Sequence, residues 1–94
     1  MTAYWMARVK VTDEASYGEY AKRAGPAIEK HGGRFLARGG RFITLEGGEY
    51  PRNVLVEFPS VDAAEACYNS PEYQEAVRFA EGAADRLLVI VEGV

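Results

Sequence analysis

The chain has 94 residues, of which 48% are hydrophobic and 12% aromatic, a composition that suits one compact domain over residues 1–94. Its formal net charge of −3, from 11 basic and 14 acidic residues, offers no basic face for nucleic acid. The single cysteine, Cys67, excludes an internal disulfide and argues against a metal site, because zinc sites require several thiolate or imidazole ligands.

The start of the chain lacks the pattern of a secretion signal, and no apolar run approaches the ~20 residues of a membrane span. We therefore expect a cytoplasmic protein that does not associate with membranes. A domain of this size has a modest core, so we also expect it to associate with itself.

A strand followed by a helix is predicted at the start of the chain. Residues 3–11 alternate between two faces, with Trp5 on one and Arg8 on the other. After Asp13, apolar residues recur every three or four positions over 17–31, which is the spacing of one helical face. The first strand therefore leads into an amphipathic helix.

Glycines punctuate the middle of the chain. Gly32-Gly33 is typical of a helix end, and strand patterns follow over 34–37 and 42–46, joined around Gly39-Gly40 by a bulge or a tight bend. The run 53–58 is β-branched and almost continuously apolar. That composition predicts a central strand buried on both faces.

The last third of the chain contains helix and strand signals in turn. Pro59 stops the preceding strand, and Ser60 is placed as the N-cap of a helix. Ser70, followed by a proline, predicts a second helical start. Residues 86–92 then predict another strand buried on both faces.

This order of elements predicts an α+β fold, the ferredoxin-like βαββαβ arrangement, with an antiparallel sheet and both helices on one face. We expect the first and third strands to be central and to run parallel to each other. The uncovered face is too apolar for water, so a homodimer through it is predicted. The residues expected at that interface are Tyr4, Met6, Arg8, Leu55 and Glu57.

Three motifs occur in order: His-Gly-Gly-Arg-Phe-Leu-Ala-Arg-Gly-Gly at 31–40, Glu-Phe-Pro-Ser at 57–60 and Tyr-Asn-Ser-Pro-Glu-Tyr-Gln at 68–74. Because of these three motifs, the chain resembles the bacterial family known as domain of unknown function 1330. The resemblance covers residues 4–93. The resemblance implies a dimeric α/β barrel, in which the sheets of two subunits pack together. Cys67 stands where such relatives often have tryptophan, and the smaller side chain would enlarge a pocket beneath the helix.

The resemblance implies no single activity. The superfamily includes cofactor-independent monooxygenases, haem-degrading enzymes, dehydratases, muconolactone isomerase and ligand-sensing regulatory domains, so function has to be argued from the site.

Candidate site residues are few. Histidine changes its protonation state near neutral pH, so His31 is the candidate general acid or base, although capping is the better explanation of a histidine at a helix C-terminus. Arg34 and Arg38 share a strand parity and are candidates for binding one anionic ligand, although arginines on an edge strand also deter edge-to-edge pairing. Tyr68 and Tyr73 are candidates for lining the pocket, although packing is the first explanation for them, as it is for Tyr17 and Tyr20.

Arg8 and Glu57 are predicted to share the uncovered face, where a pair between them would set the register of the dimer rather than transfer protons. No serine, threonine or cysteine has the surroundings of a nucleophile. No cofactor is predicted.

Three functions remain open. The first is a cofactor-independent small-molecule enzyme, oxygenase-like or isomerase-like, whose pocket between sheet and helices holds His31, Arg38 and a tyrosine. The second is a non-catalytic binding or sensing module that uses the same pocket. The third is a purely structural dimer without a pocket.

Overall fold

The computed structural model describes all residues from 1 to 94. They form four strands and three helices: β1 (Ala3–Val11), α1 (Glu14–Lys30), β2 (Arg34–Arg38), β3 (Arg52–Phe58), α2 (Val61–Tyr68), α3 (Pro71–Val77) and β4 (Ala84–Glu92). Ser60 and Ser70 cap α2 and α3 by accepting hydrogen bonds from backbone amides, as the sequence predicts.

The strands form one sheet in the order β2-β3-β1-β4. This confirms the α+β, ferredoxin-like arrangement and the central positions of β1 and β3. All three strand pairs are antiparallel, including β1 with β3, so the prediction of a parallel central pair is wrong. Each helical crossover joins two strands that run parallel to each other but are not neighbours in the sheet. The strand that lies between these two runs in the opposite direction.

The helices cover one face of the sheet. Trp5 and Val9 of β1 are buried on that face together with Val56 and Phe58 of β3, and the Trp5 indole N–H donates to the Ala64 carbonyl oxygen of α2 at 3.1 Å. Burying each such side chain contributes about 1.5–3 kcal/mol. This layer fixes the helices against the sheet.

The opposite face of the sheet, which we call the open face, is not covered by a helix, and the segment 42–50 lies beside Arg8 and Asn53 on it. Alternation places all five predicted interface residues on it, namely Tyr4, Met6, Arg8, Leu55 and Glu57. The strand β4 lies at the sheet edge, and its Leu87, Val89 and Val91 are 48%, 54% and 43% exposed. The prediction that β4 is buried on both faces is therefore wrong for the subunit.

The predicted strand at 42–46 is also absent from the subunit. β2 ends at Arg38, and residues 40–45 form no helix, strand or turn. β3 already pairs with β2 on one side and β1 on the other, so this segment does not pair with the strand that follows it in the chain.

Candidate functional site

A cavity of about 30 Å³ lies between α1 and the covered face of the sheet, with room for about two water molecules. Its wall is mostly apolar and aromatic, but three arginines also line it, and none of them forms an ion pair with a carboxylate. We call the cavity and its polar lining the Tyr-Arg pocket. Those polar residues are Tyr17, Tyr20, Tyr73, Arg38, Arg52 and Arg86.

Three elements meet at the inner end of this pocket. The hydroxyl oxygens of Tyr20 in α1 and Tyr73 in α3 are 2.6 Å apart. Nη2 of Arg86, on β4, donates to both of them, at 3.0 Å to Tyr20 and 2.9 Å to Tyr73. The Nε of Arg86 is buried without a hydrogen-bond partner, so this guanidinium has donor capacity that the protein does not use.

Burial keeps Tyr17 and Tyr20 neutral. It raises the pKa of Tyr20 far above the ordinary tyrosine value, and it raises the pKa of Tyr17 as well. Burial opposes the charge of Arg86, but interactions with Tyr20 and Tyr73 outweigh it and hold the Arg86 pKa above its usual value. The pocket thus offers hydrogen-bond donors and positive charge, and it contains no carboxylate or imidazole that could act as a base.

The outer end of the pocket is formed by two further arginines. The Arg38 guanidinium lies over the Phe35 ring, 4.1 Å from its centroid. A Cβ at Gly25 would lie 3.0 Å from Arg38 Nη2, so a glycine in α1 provides the space that Arg38 occupies. The Arg52 guanidinium lies 5.9 Å from the centroid of the Tyr17 ring.

An open groove of about 390 Å³ adjoins the pocket on this side. Tyr17, Ala21 and Arg52 line both spaces, so Tyr17 and Arg52 stand between the buried cavity and the groove. Small-molecule sites usually have volumes of about 300–1,000 Å³. The cavity alone is too small for an organic ligand, but cavity and groove together are large enough, and Glu14 contributes one carboxylate to the lining of the groove.

Two of the four predicted ligand-binding residues line the pocket, and two do not. Arg38 and Tyr73 line it. Tyr68 is 39% exposed and packs against Trp5 and Tyr73 outside the cavity.

The fourth, Arg34, lies on the other side of the sheet from Arg38. A bulge between Phe35 and Ala37 shifts the register, so Arg34 is opposite Glu57 and Arg38 is opposite Val54. The prediction that the two arginines face one ligand is therefore wrong, because the extra residue reverses the alternation.

His31 lies outside the pocket. It is the C-cap residue of α1, and its Nδ1 is 2.9 Å from the carbonyl oxygen of Ala27. This geometry corresponds to the capping alternative for a histidine at a helix end.

Arg8 and Glu57 share the open face, as predicted, but they do not pair within the subunit. Arg8 lies opposite Asn53 and donates to its side-chain oxygen at 3.3 Å. Glu57 instead forms an ion pair with Arg34, with 3.2 Å between Oε1 and Nη2. Any contact between Arg8 and Glu57 would have to join two subunits.

Cys67 is completely buried under α1 and does not line the cavity. The pocket therefore does not extend beneath the helix at this position, contrary to expectation. Burial raises the pKa of the thiol to about 11, which keeps it protonated and unreactive. No group of three or more histidine, cysteine or acidic residues comes together to hold a metal ion.

The sequence reasoning missed Arg52 and Arg86 and assigned Tyr17 and Tyr20 mainly to packing. A signal was available for the arginines. Arg86 is in phase with Leu88 on β4, and Arg52 is in phase with Val54 on β3, so alternation places both charges on the covered face. Charged residues in phase with a buried face are unusual and indicate a site.

The family model for a domain of unknown function, DUF1330, matches residues 2–94. The chain belongs to this family. The DUF1330 chain also resembles the RPA0582 protein of unknown function from Rhodopseudomonas palustris, with a TM-score of 0.81 and 24% identity over 99% of this chain and 82% of that one. No curated protein matches it.

Two further solved structures share the fold. A dimeric ferredoxin-like protein of unknown function from Jannaschia sp. CCS1 has a TM-score of 0.70 and 16% identity, covering 99% of this chain and 100% of that one. SnoaB, a cofactor-independent oxygenase from Streptomyces nogalater, has a TM-score of 0.68 and 12% identity, covering 99% and 93%. Other neighbours are also described as dimeric and ferredoxin-like. At these identities the likeness shows the fold alone. No helix is both long and apolar enough to cross a membrane.

Proposed function

We propose that this protein binds a small organic anion with a planar, conjugated body in the Tyr-Arg pocket and acts on it without a cofactor, as an oxygenase-like or isomerase-like enzyme. The observation that carries the proposal is that three guanidinium groups and no carboxylate line an aromatic cavity. Gathering like charges is costly unless an opposite charge arrives. A phenolate or an enolate supplies that charge, together with a flat body for the aromatic walls.

The donors of the pocket suit an oxygen that carries negative charge. Buried donors aimed at a developing oxyanion stabilise it strongly, because water does not compete. Arg86 has a buried Nε to spare, and the raised pKa of Tyr20 keeps its hydroxyl protonated. In a chain of net charge −3, this is a local concentration of positive charge.

The likeness to SnoaB, which is described as a cofactor-independent oxygenase, supports the catalytic form of this proposal. The cavity itself contains no base, which favours a substrate acidic enough to ionise near neutral pH, such as a phenol or a β-dicarbonyl compound that carries electron-withdrawing groups. His31, the predicted base, caps α1 instead.

That same lack of a base favours a second candidate, a non-catalytic binding or sensing module with the same ligand class. Mass spectrometry of bound phenols and enols after incubation in air separates the two. Recovery of every ligand unchanged supports the module, and conversion of any of them supports the enzyme.

Binding itself is tested with 4-nitrophenolate and its uncharged methyl ether, 4-nitroanisole, by equilibrium dialysis. We expect the phenolate to bind at least tenfold more tightly than the ether, and Arg52→Met and Arg86→Met each to remove most of that preference. Arg78→Met is the matched control, because Arg78 is an exposed arginine that pairs with Glu75 away from the pocket. Equal binding of the two compounds would contradict the proposal.

We further propose that the functional unit is a homodimer in the cytoplasm, formed through the open face by Tyr4, Met6, Arg8, Leu55 and Glu57. The support is the exposure of the apolar residues there and the dimeric state given for several neighbours. A stable interface of this kind buries about 800 Å² per subunit. Sedimentation at micromolar concentration tests it, and a monomer would contradict it.

A further inference from the structure

The groove beside the Tyr-Arg pocket lies between one face of α1, the end of β1 and the start of β3. Its lining residues are Glu14, Tyr17, Gly18 and Ala21 of α1, Val9 and Val11 of β1, Pro51 and Arg52. The four residues from α1 are spaced as on one helical face, and of the whole lining only Glu14 and Arg52 carry a charge. The groove therefore suits the uncharged part of a ligand.

Gly18 is a residue of this lining that the fold does not require to be glycine. It lies inside α1 without a positive φ, and a Cβ at this position would have no atom within 4 Å. Gly25 in the same helix differs, since its Cβ would lie 3.0 Å from Arg38 Nη2. Glycine inside a helix is destabilising relative to alanine. Gly18 thus lowers stability and leaves a space in the groove that no side chain of the protein fills.

The cavity and the groove divide the room for a ligand unequally. The cavity of about 30 Å³ takes a charged oxygen and little more. The groove measures about 390 Å³. A cavity of about 150 Å³ is enough to hold benzene, so the groove has room for more than one ring.

We propose that Gly18 determines the length of the ligand, by keeping the groove open for the second ring of an anion with two or more fused or linked rings. The proposal rests on the function proposed above and specifies its class of ligand. Tyr17 and Arg52 line both spaces, so a ligand that fills both lies against them. Burial of the second ring beside Gly18 removes apolar surface from water and strengthens binding.

Charge determines which end of the ligand enters the cavity. Three arginines and no carboxylate line the cavity, whereas the groove contains the carboxylate of Glu14. Glu14 lies in the first turn of α1 and forms no ion pair, so it repels an anionic oxygen placed in the groove. The charged end therefore lies in the cavity and the uncharged ring lies beside Gly18.

A series of variants at position 18 tests the proposal by equilibrium dialysis, with 4-nitrophenolate and 4-nitro-1-naphtholate as one-ring and two-ring probes at a pH where both are ionised. We expect the wild-type protein to bind the naphtholate at least about tenfold more tightly than the phenolate. Gly18→Leu and Gly18→Phe should remove most of that preference and change the affinity for the phenolate by no more than about twofold. Ala15→Leu is the matched control, because Ala15 is an exposed small residue of α1 that does not line the groove.

Gly18→Ala supplies a second readout, the thermal stability of the protein. We expect this variant to raise the Tm by several degrees, because alanine is the better helix former and its Cβ has open space. A lower Tm would show that the fold requires the glycine, and it would overturn the proposal.

The binding measurements separate this proposal from the proposed function. If 4-nitrophenolate binds more tightly than its methyl ether but the naphtholate gains nothing over the phenolate, the two-ring ligand is wrong and the Tyr-Arg pocket stands. A preference for the naphtholate that survives in Gly18→Phe would also overturn the role of Gly18. Equal binding of 4-nitrophenolate and 4-nitroanisole would overturn the proposed function and this inference with it.

Discussion

At the residue scale, Arg86 is the side chain that packing does not explain. Its guanidinium is largely buried, has no carboxylate partner and leaves its Nε unbonded. A buried charge without full compensation costs stability. Such a cost is typical of functional sites, where stability is given up for binding.

Replacing Arg86 therefore separates function from stability. We expect Arg86→Met to leave the free energy of unfolding within about 1 kcal/mol of the wild type or to raise it, because the methionine removes a poorly compensated charge and the two hydroxyls still bond each other. Tyr20→Phe should cost about 1–3 kcal/mol, since it leaves the guanidinium with one acceptor fewer. Urea unfolding followed by the fluorescence of Trp5, the only tryptophan, measures both. A larger loss in Arg86→Met than in Tyr20→Phe would mean that Arg86 is structural.

At the element scale, α1 and β2 cooperate to place Arg38. The bulge in β2 turns Arg38 to the covered face, and Gly25 leaves the space that its guanidinium fills. A β-bulge that re-aims one side chain is common beside functional sites. Gly25 of α1 is therefore explained by the space that the Arg38 side chain of β2 requires.

A double-mutant cycle tests this cooperation. In Gly25→Ala the new Cβ would stand 3.0 Å from the flexible end of Arg38, so we expect the side chain to move and the affinity for 4-nitrophenolate to fall severalfold. Stability should change little, because the helical gain of alanine over glycine is offset by its position before a proline. If Gly25 acts through Arg38, the combination with Arg38→Met should weaken binding no further than Arg38→Met alone. Additive effects would show that Gly25 acts independently of Arg38.

At the scale of the whole molecule, the sequence predicted the fold well because caps, prolines and hydrophobic periodicity are local signals. Ser60, Ser70 and the alternation in β1 all lie where they were expected. The errors concern partners that a local pattern does not contain. The bulge that separates Arg34 from Arg38 depends on the register with β3, and the segment 42–46, predicted as a strand, pairs with no strand inside one subunit.

The candidate site was harder to predict for the same reason. Tyr20, Tyr73 and Arg86 come from three elements, and two of them are 53 positions apart in the chain. Each residue alone has an ordinary explanation, and only their meeting in the fold reveals the network. His31 was predicted as a general acid or base because of the chemistry of its imidazole. Its capping role at the end of α1 is sufficient to explain a histidine at this position.

The central claim is that the Tyr-Arg pocket stabilises an organic anion. Its most direct test is an absorbance titration of 4-nitrophenol against pH, free and bound to the protein, because the phenolate absorbs at a longer wavelength than the phenol. Nearby positive charge favours the ionised form, so we predict that binding lowers the pKa of the phenol by about one unit or more, and that Arg86→Met reduces this shift. A pKa that is unchanged or raised on binding to the wild-type protein would contradict the account.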